Sequence, residues 1–306
     1  MKRLFIVLVM VAAVALAISY IFIPQKIKIT AVAEGSVNIN AATRYLLKDE
    51  NWKKWWPGPN VFHYKNADFR PDKKLLNSFE MLLFYKGDTV KNILRLIPLG
   101  LDSTGFAWSC EIEGSNNPIK RWAQYLKAHQ IKRILNVLIG SLKNHLEKEE
   151  NIYGFTVKRV KVMDSVLIST RSSFDHYPDN KEIDIMVQKL KNYIKTENAI
   201  EKNYPMLNVY KPGPGNYEAM IAIATDRTLP ATTDFTPKHV LKGGKLLEAE
   251  FKGGSYALEK AFEEFEKYRM DFQLLSPAIP YQLMITDRAK EADTTRWLTK
   301  FYYPVF

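Results

Sequence analysis

Hydrophobic and polar positions along the 306 residues change period several times, and the changes outline the elements. Leu4 to Ile23 is an uncharged apolar run. At about 1.5 Å per residue it predicts a helix about 30 Å long, the thickness of a bilayer core. Alternating stretches at 79–85, 89–99 and 104–113 predict consecutive antiparallel strands, the first pair turning at Gly87-Asp88. From Ile119 to Glu149 the period lengthens, and Ile131, Ile134, Leu135, Leu138, Leu142 and Leu146 fall on one helical face. Ser115 or Asn117 can cap that helix, with Pro118 at its first position.

The second half contains a weak internal repeat. Residues 155–170 predict one long strand with a bulge. Ile183, Met186, Val187, Leu190 and Ile194 predict an amphipathic helix, and 217–225 a strand. The order then recurs: a strand at 245–253, then a helix marked by Leu258, Ala261, Phe262, Phe265 and Tyr268. Strands at 281–287 and 297–305 close it. Strand, helix, strand, strand, used twice, predicts a pseudo-two-fold sheet with two helices on one face and a cleft between them. The fold class is therefore α+β. The chain divides into an anchor at 1–29, a first domain at 30–150 and a second at 153–306.

Charge changes the picture only at the start. Residues 1–30 carry four Lys/Arg and no acid, 31–150 carry 18 against 13, and 151–306 carry 22 against 20. The net +11 is thus dilute after the first segment, which argues against a nucleic-acid binder with its dense basic stripe. Ala15-Leu16-Ala17 has the form of a signal cleavage site. The apolar run continues past it to Ile23, which favours an uncleaved signal anchor. Lys2 and Arg3 against Lys26 and Lys28 weakly place the N-terminus in the cytoplasm. The expected location is a bacterial inner membrane, crossed once by residues 4–23, with the following domains extracytoplasmic.

The stretch "NWKKWWPGP" at 51–59 places Trp52, Trp55 and Trp56 together. In its setting of short helix, antiparallel strands and one long helix, it resembles the W-x-x-W-x-P stretch of the START-like, or SRPBCC (polyketide cyclase-like), superfamily. That resemblance implies a curved sheet gripping the long helix around an apolar cavity. It makes the tryptophans a core-forming motif, with a cavity wall or a membrane contact as the other readings. "EFKGGSYALEKAFEEF", "PYQLMITD" and the ending W-x-T-x-x-Y-x-P-V (Trp297, Thr299, Tyr302, Pro304, Val305) resemble the GyrI-like effector-binding family. This implies a small-molecule cleft. Family members often carry a Glu where this chain has Gln282. An amide can hydrogen-bond a ligand but cannot act as a general base.

Gln282 and Met284 share one face of their strand, with Tyr281, Leu283 and Ile285 on the other, and only one set can line the cleft. The resemblance points to the Gln282 side. The candidate ligand-binding residues are Gln282, Trp297, Tyr302, Tyr217, Tyr256, Met284 and Glu218. No catalytic residue is expected. The five histidines are scattered and the single Cys110 cannot form a zinc cluster or an internal disulfide, so no metal or cofactor is expected. Cys110 alternates with Phe106, Trp108 and Ile112, as a buried strand residue does. The expected protein is a membrane-anchored binder of a small hydrophobic or amphipathic ligand, a cationic one left open. The alternatives are a cyclase- or hydrolase-type enzyme acting on a small hydrophobic substrate, and a purely structural envelope protein.

Overall fold

Helix α1 (Lys2–Phe22) carries the apolar run, and its described side chains between Leu4 and Phe22 stand exposed. The computed structural model describes residues 2–276 and 278–306, and of Lys2, Arg3, Leu16 and Ser19 the backbone only. The Lys2 and Arg3 side chains, on which the expected orientation rests, therefore lie outside the described residues. The chain forms two units, Met1–Lys148 and Glu149–Phe306. Both are α+β.

The first unit continues with β1 (Lys26–Gly35), α2 (Ile39–Leu47), α3 (Asp49–Trp55), β2 (His63–Tyr64) and β3 (Ala67–Leu75). Then come β4 (Ser78–Tyr85), β5 (Asp88–Pro98), β6 (Thr104–Glu113) and α4 (Pro118–Leu146). The sheet order is β1-β6-β5-β4-β3-β2, antiparallel throughout. β1 pairs with β6 over its full length, from Lys26↔Glu113 to Gly35↔Thr104. Its alternation buries Ile27, Ile29 and Ala31, directly after the apolar run of α1. Asn117 caps α4, its Oδ1 accepting from the Ile119 and Lys120 amides, with Pro118 next. The helix lies against β1 and β6 and buries the leucine-isoleucine face expected of it.

Trp52, Trp55 and Trp56 are buried in this unit. Trp52 meets Phe79 of β4, and Trp56 meets Phe69 of β3 and Trp108 of β6. Ser141 of α4 donates to the Trp55 carbonyl at 2.5 Å. The rings thus form core between the sheet and the long helix, while Lys53 and Lys54 face solvent. Burial of each large side chain stabilises by roughly 1.5–3 kcal/mol, and each ring pair adds about 0.5–1.5 kcal/mol. Three of the indoles have hydrogen-bond acceptors: Leu46 O for Trp52, His63 O for Trp56 and Asn92 Oδ1 for Trp108. Cys110 is buried on β6, and burial pushes its thiol pKa up to about 12.

The second unit contains α5 (Glu149–Tyr153), β7 (Val157–Lys161), β8 (Val166–Phe174), α6 (Asn180–Thr196), β9 (Met206–Gly213) and β10 (Asn216–Ala224). β11 (Thr236–His239), β12 (Lys245–Lys252), α7 (Ser255–Asp271), β13 (Tyr281–Met284) and β14 (Leu298–Val305) follow. Its sheet order is β11-β8-β10-β9-β13-β14-β12-β7. The inner six strands read as a palindrome of two β-α-β-β repeats, which is the pseudo-two-fold. The outer strands are exchanged: β7 precedes β8 in sequence but pairs with β12, and β11 precedes β12 but pairs with β8. The long strand expected at 155–170 is therefore two strands. The break at Val162–Ser165 separates β7, at one edge of the sheet, from β8, next to the other edge.

Candidate ligand-binding trough

Strand alternation gives the second sheet two unlike faces. Leu207, Ala219, Ile221, Ile223 and Met284 pack under α6, and Phe301 packs against Phe262 and Phe265 of α7. On the other face Leu167, Met206, Ala222, Ala224 and Leu283 cluster with Tyr281 and Tyr302. Both helices pack on the first face.

On the second face a recess of about 300 Å³ is lined by Leu167, Met206, Met220, Leu246, Ile279 and Tyr281, with Asn208 and Lys238 as polar edges. It adjoins two others through shared walls. One, of about 170 Å³, shares Met206, Leu246 and Tyr281 and adds Glu248 and Tyr302. The other, of about 450 Å³, shares Asn208, Met220 and Ile279 and adds Arg171, Tyr210, Glu218 and Phe262. Together they form a trough across the sheet, apolar in the middle and polar at both ends. β9 and β13 pair only over Leu207↔Gln282 and Met206↔Leu283. Phe262 reaches the third recess from α7.

Glu248 and Tyr302 face each other across the β12–β14 pair. Tyr302 Oη donates to Glu248 Oε2 at 2.5 Å, and Lys300 Nζ lies 3.3 Å from Glu248 Oε1. Tyr281 stacks on Tyr302 with ring centres 5.0 Å apart. Burial, then the bond to Glu248, holds the Tyr302 pKa well above the ordinary phenol value. Burial, with Asp164 and Glu248 nearby, pushes Tyr281 up to about 12. Both hydroxyls are neutral at physiological pH and can orient a ligand by hydrogen bonds. Among the described residues no group of three or more His, Cys, Asp or Glu is placed to hold a metal.

Of the seven residues expected from sequence, Tyr302 and Glu218 line the trough, at opposite ends. Gln282 and Met284 lie on the helix side. Gln282 sits beside Leu207 and Phe301, and Met284 is buried under α6. Trp297 is buried at the end of a 3-10 turn (Thr294–Arg296), its Nε1 donating to Glu291 O at 2.9 Å. Tyr217 meets Tyr177 edge-on at 5.8 Å, and Tyr256 is 71% exposed beneath Lys260. The structure therefore does not bring the seven to one place.

The walls that sequence reasoning missed are chiefly Met206, Met220, Leu246, Ile279 and Tyr281. Alternation puts Tyr281 and Gln282 on opposite faces, but nothing local says which face stays open. Arg288 was also missed. It donates to Thr299 Oγ1 at 3.0 Å and covers Trp297 at 5.1 Å, on the rim of a recess of about 220 Å³ beside α6.

No family model matches the chain, and no curated protein matches it. Among solved structures the chain is similar to the EcmrR C-terminal domain, at 14% identity over 50% of this chain and 98% of that one, TM-score 0.43. It is similar to a hydrolase from Listeria innocua, at 13% identity over 49% and 92%, TM-score 0.38. It is also similar to the di-domain ARO/CYC BexL from the BE-7585A biosynthetic pathway, at 8% identity over 92% and 85%, TM-score 0.31. By its own architecture the chain is a two-unit α+β protein with one apolar N-terminal helix and a trough across its second sheet.

Proposed function

We propose that this is a membrane-anchored small-molecule-binding protein whose second unit holds an apolar or amphipathic ligand in the trough. The observation that carries the reading is the apolar recess of about 300 Å³ continuous with polar groups at both ends. Ligand sites have this form: mostly apolar walls, with a few fixed polar groups that orient. Glu248 is already engaged by Tyr302 and Lys300, which supports binding over acid-base catalysis. The twofold repeat and the W-x-T-x-x-Y-x-P-V ending support a GyrI-like second domain. The sheet gripping α4 and the buried tryptophans support a START-like first domain. The length and hydropathy of Leu4–Phe22 support a single membrane anchor, with both domains outside a bacterial inner membrane.

The test is native mass spectrometry of the full chain, released from micelles, against a library of amphipathic aromatic compounds. One compound should bind per chain, and Met220→Trp, which fills the shared wall of two recesses, should abolish it. Tyr256→Ala, on an exposed side chain, should leave it unchanged. Binding that survives Met220→Trp would place the ligand elsewhere. Protease digestion of spheroplasts tests the sidedness: both units should be cleaved without lysis.

A further inference from the structure

Helix α4 is 29 residues long and contains no Asp or Glu. Between Lys120 and Arg133 it carries Lys120, Arg121, Lys127, Lys132 and Arg133. Lys127 pairs with Asp88 at 2.5 Å, whereas Lys120, Lys132 and Arg133 form no ion pair among the described residues. On the same stretch Ile119, Trp122 and Leu126 are 66%, 52% and 44% exposed. Their spacing of three and four residues puts them on one face, opposite the buried Ala128, Ile131 and Leu135. Of six tryptophans in the chain, five are buried and Trp122 alone is exposed. Core packing therefore does not account for it.

Position decides what this face meets. Arg121, only 6% exposed, donates from Nη1 to Tyr20 O at 3.1 Å and from Nε to Ser115 O at 2.8 Å. Its guanidinium lies 4.2 Å from the centre of the Tyr20 ring. Gly114 N donates to Gln25 O at 2.6 Å. The start of α4 is thus bound to the last turn of α1 and the residues just after it. If α1 spans a bilayer, that turn is at the lipid–water boundary. An exposed Trp with Tyr125, Ile119 and Leu126, on a helix that carries unpaired cations and no acid of its own, is the composition of an interfacial helix.

We propose that the first two turns of α4, Ile119–Leu126, are a docking face that lays the first unit on an anionic lipid surface beside the membrane helix. The proposal rests on α1 being a membrane anchor. The apolar side chains enter the headgroup boundary, and Lys120, Lys132 and Arg133 meet anionic headgroups.

The test uses the full chain in nanodiscs of phosphatidylcholine with or without phosphatidylglycerol, doped with brominated lipid. The other five indoles are inside the protein, so the difference between wild type and Trp122→Tyr isolates Trp122. Its emission should be quenched in anionic discs, less in neutral discs, and less again in high salt. Lys120→Glu with Arg133→Glu should lose the anionic preference. Circular dichroism should be unchanged in every variant. A chain that co-elutes with the discs but shows no quenching of Trp122 overturns the docking face alone. A chain that does not co-elute overturns the anchor reading and the docking face with it. Two chains per disc with Trp122 shielded from lipid would mean that a second copy covers the face, which also overturns the proposal.

Discussion

Arg121 holds Tyr20 in two ways, by a 3.1 Å hydrogen bond from Nη1 to the Tyr20 carbonyl and by its guanidinium 4.2 Å from the ring centre. The buried cation thereby joins the end of α1 to the start of α4. A hydrogen bond from a charged donor contributes about 1.5–3 kcal/mol. Arg121→Leu should therefore lower the stability of the first unit by about that much. Urea unfolding in micelles followed by tryptophan emission would check it, since five of the six tryptophans are in this unit.

Trp108 Nε1 donates to Asn92 Oδ1 at 2.7 Å, and Asn92 Nδ2 donates to Met81 O at 3.0 Å. Asn92 is fully buried in the middle of the sheet. Asn92→Leu keeps the branched shape, slightly enlarged, but leaves the indole unpaired. It should cost about 1–3 kcal/mol in the same unfolding experiment. Asn92→Ala, with a void added, should cost more.

His145 Nε2 lies 2.6 Å from Tyr45 Oη. Burial, helped by Lys54 and Lys148, lowers the His145 pKa below its ordinary 6.5. The folded state therefore takes up this proton less readily than the unfolded state. Its contribution is complete above about pH 6.5 and is lost as pH falls from there through the lowered folded value. His145→Gln should flatten that part of the stability–pH curve, measured by urea midpoints at a series of pH values. An unchanged slope would mean that the histidine is protonated equally in both states.

Tyr302→Phe removes the donor to Glu248, whose side chain is only 14% exposed and keeps Lys300 as its other partner. Leaving a buried carboxylate oxygen short of a donor should cost about 1–3 kcal/mol. Amide hydrogen exchange should speed up along β12 and β14, which carry the pair, and stay unchanged in the first unit. Glu248→Gln, still able to accept from the hydroxyl, should have the smaller effect.

The sequence by itself determined the elements whose signal is periodic and local. The leucine-isoleucine face of α4, the faces of α6 and α7, and the strands β4 to β6 all follow from side-chain spacing. So do the Asn117-Pro118 start and the apolar run of α1. The repeat of strand, helix and two strands was also legible, because each copy carries its own pattern.

Tertiary structure decided what depends on distant partners. β7 and β11 are exchanged between the repeats, and no local spacing encodes which edge a strand will join. Alternation separated Tyr281 from Gln282, but the open face was chosen by where α6 and α7 packed. The tryptophans show the same division. Trp52, Trp55 and Trp56 found rings on β3, β4 and β6 and became core. Trp122, on a helix whose opposite face was already taken by the sheet, was left outside beside α1. Residue type sets how much apolar surface there is to hide, and only the assembled fold sets what is left to hide it.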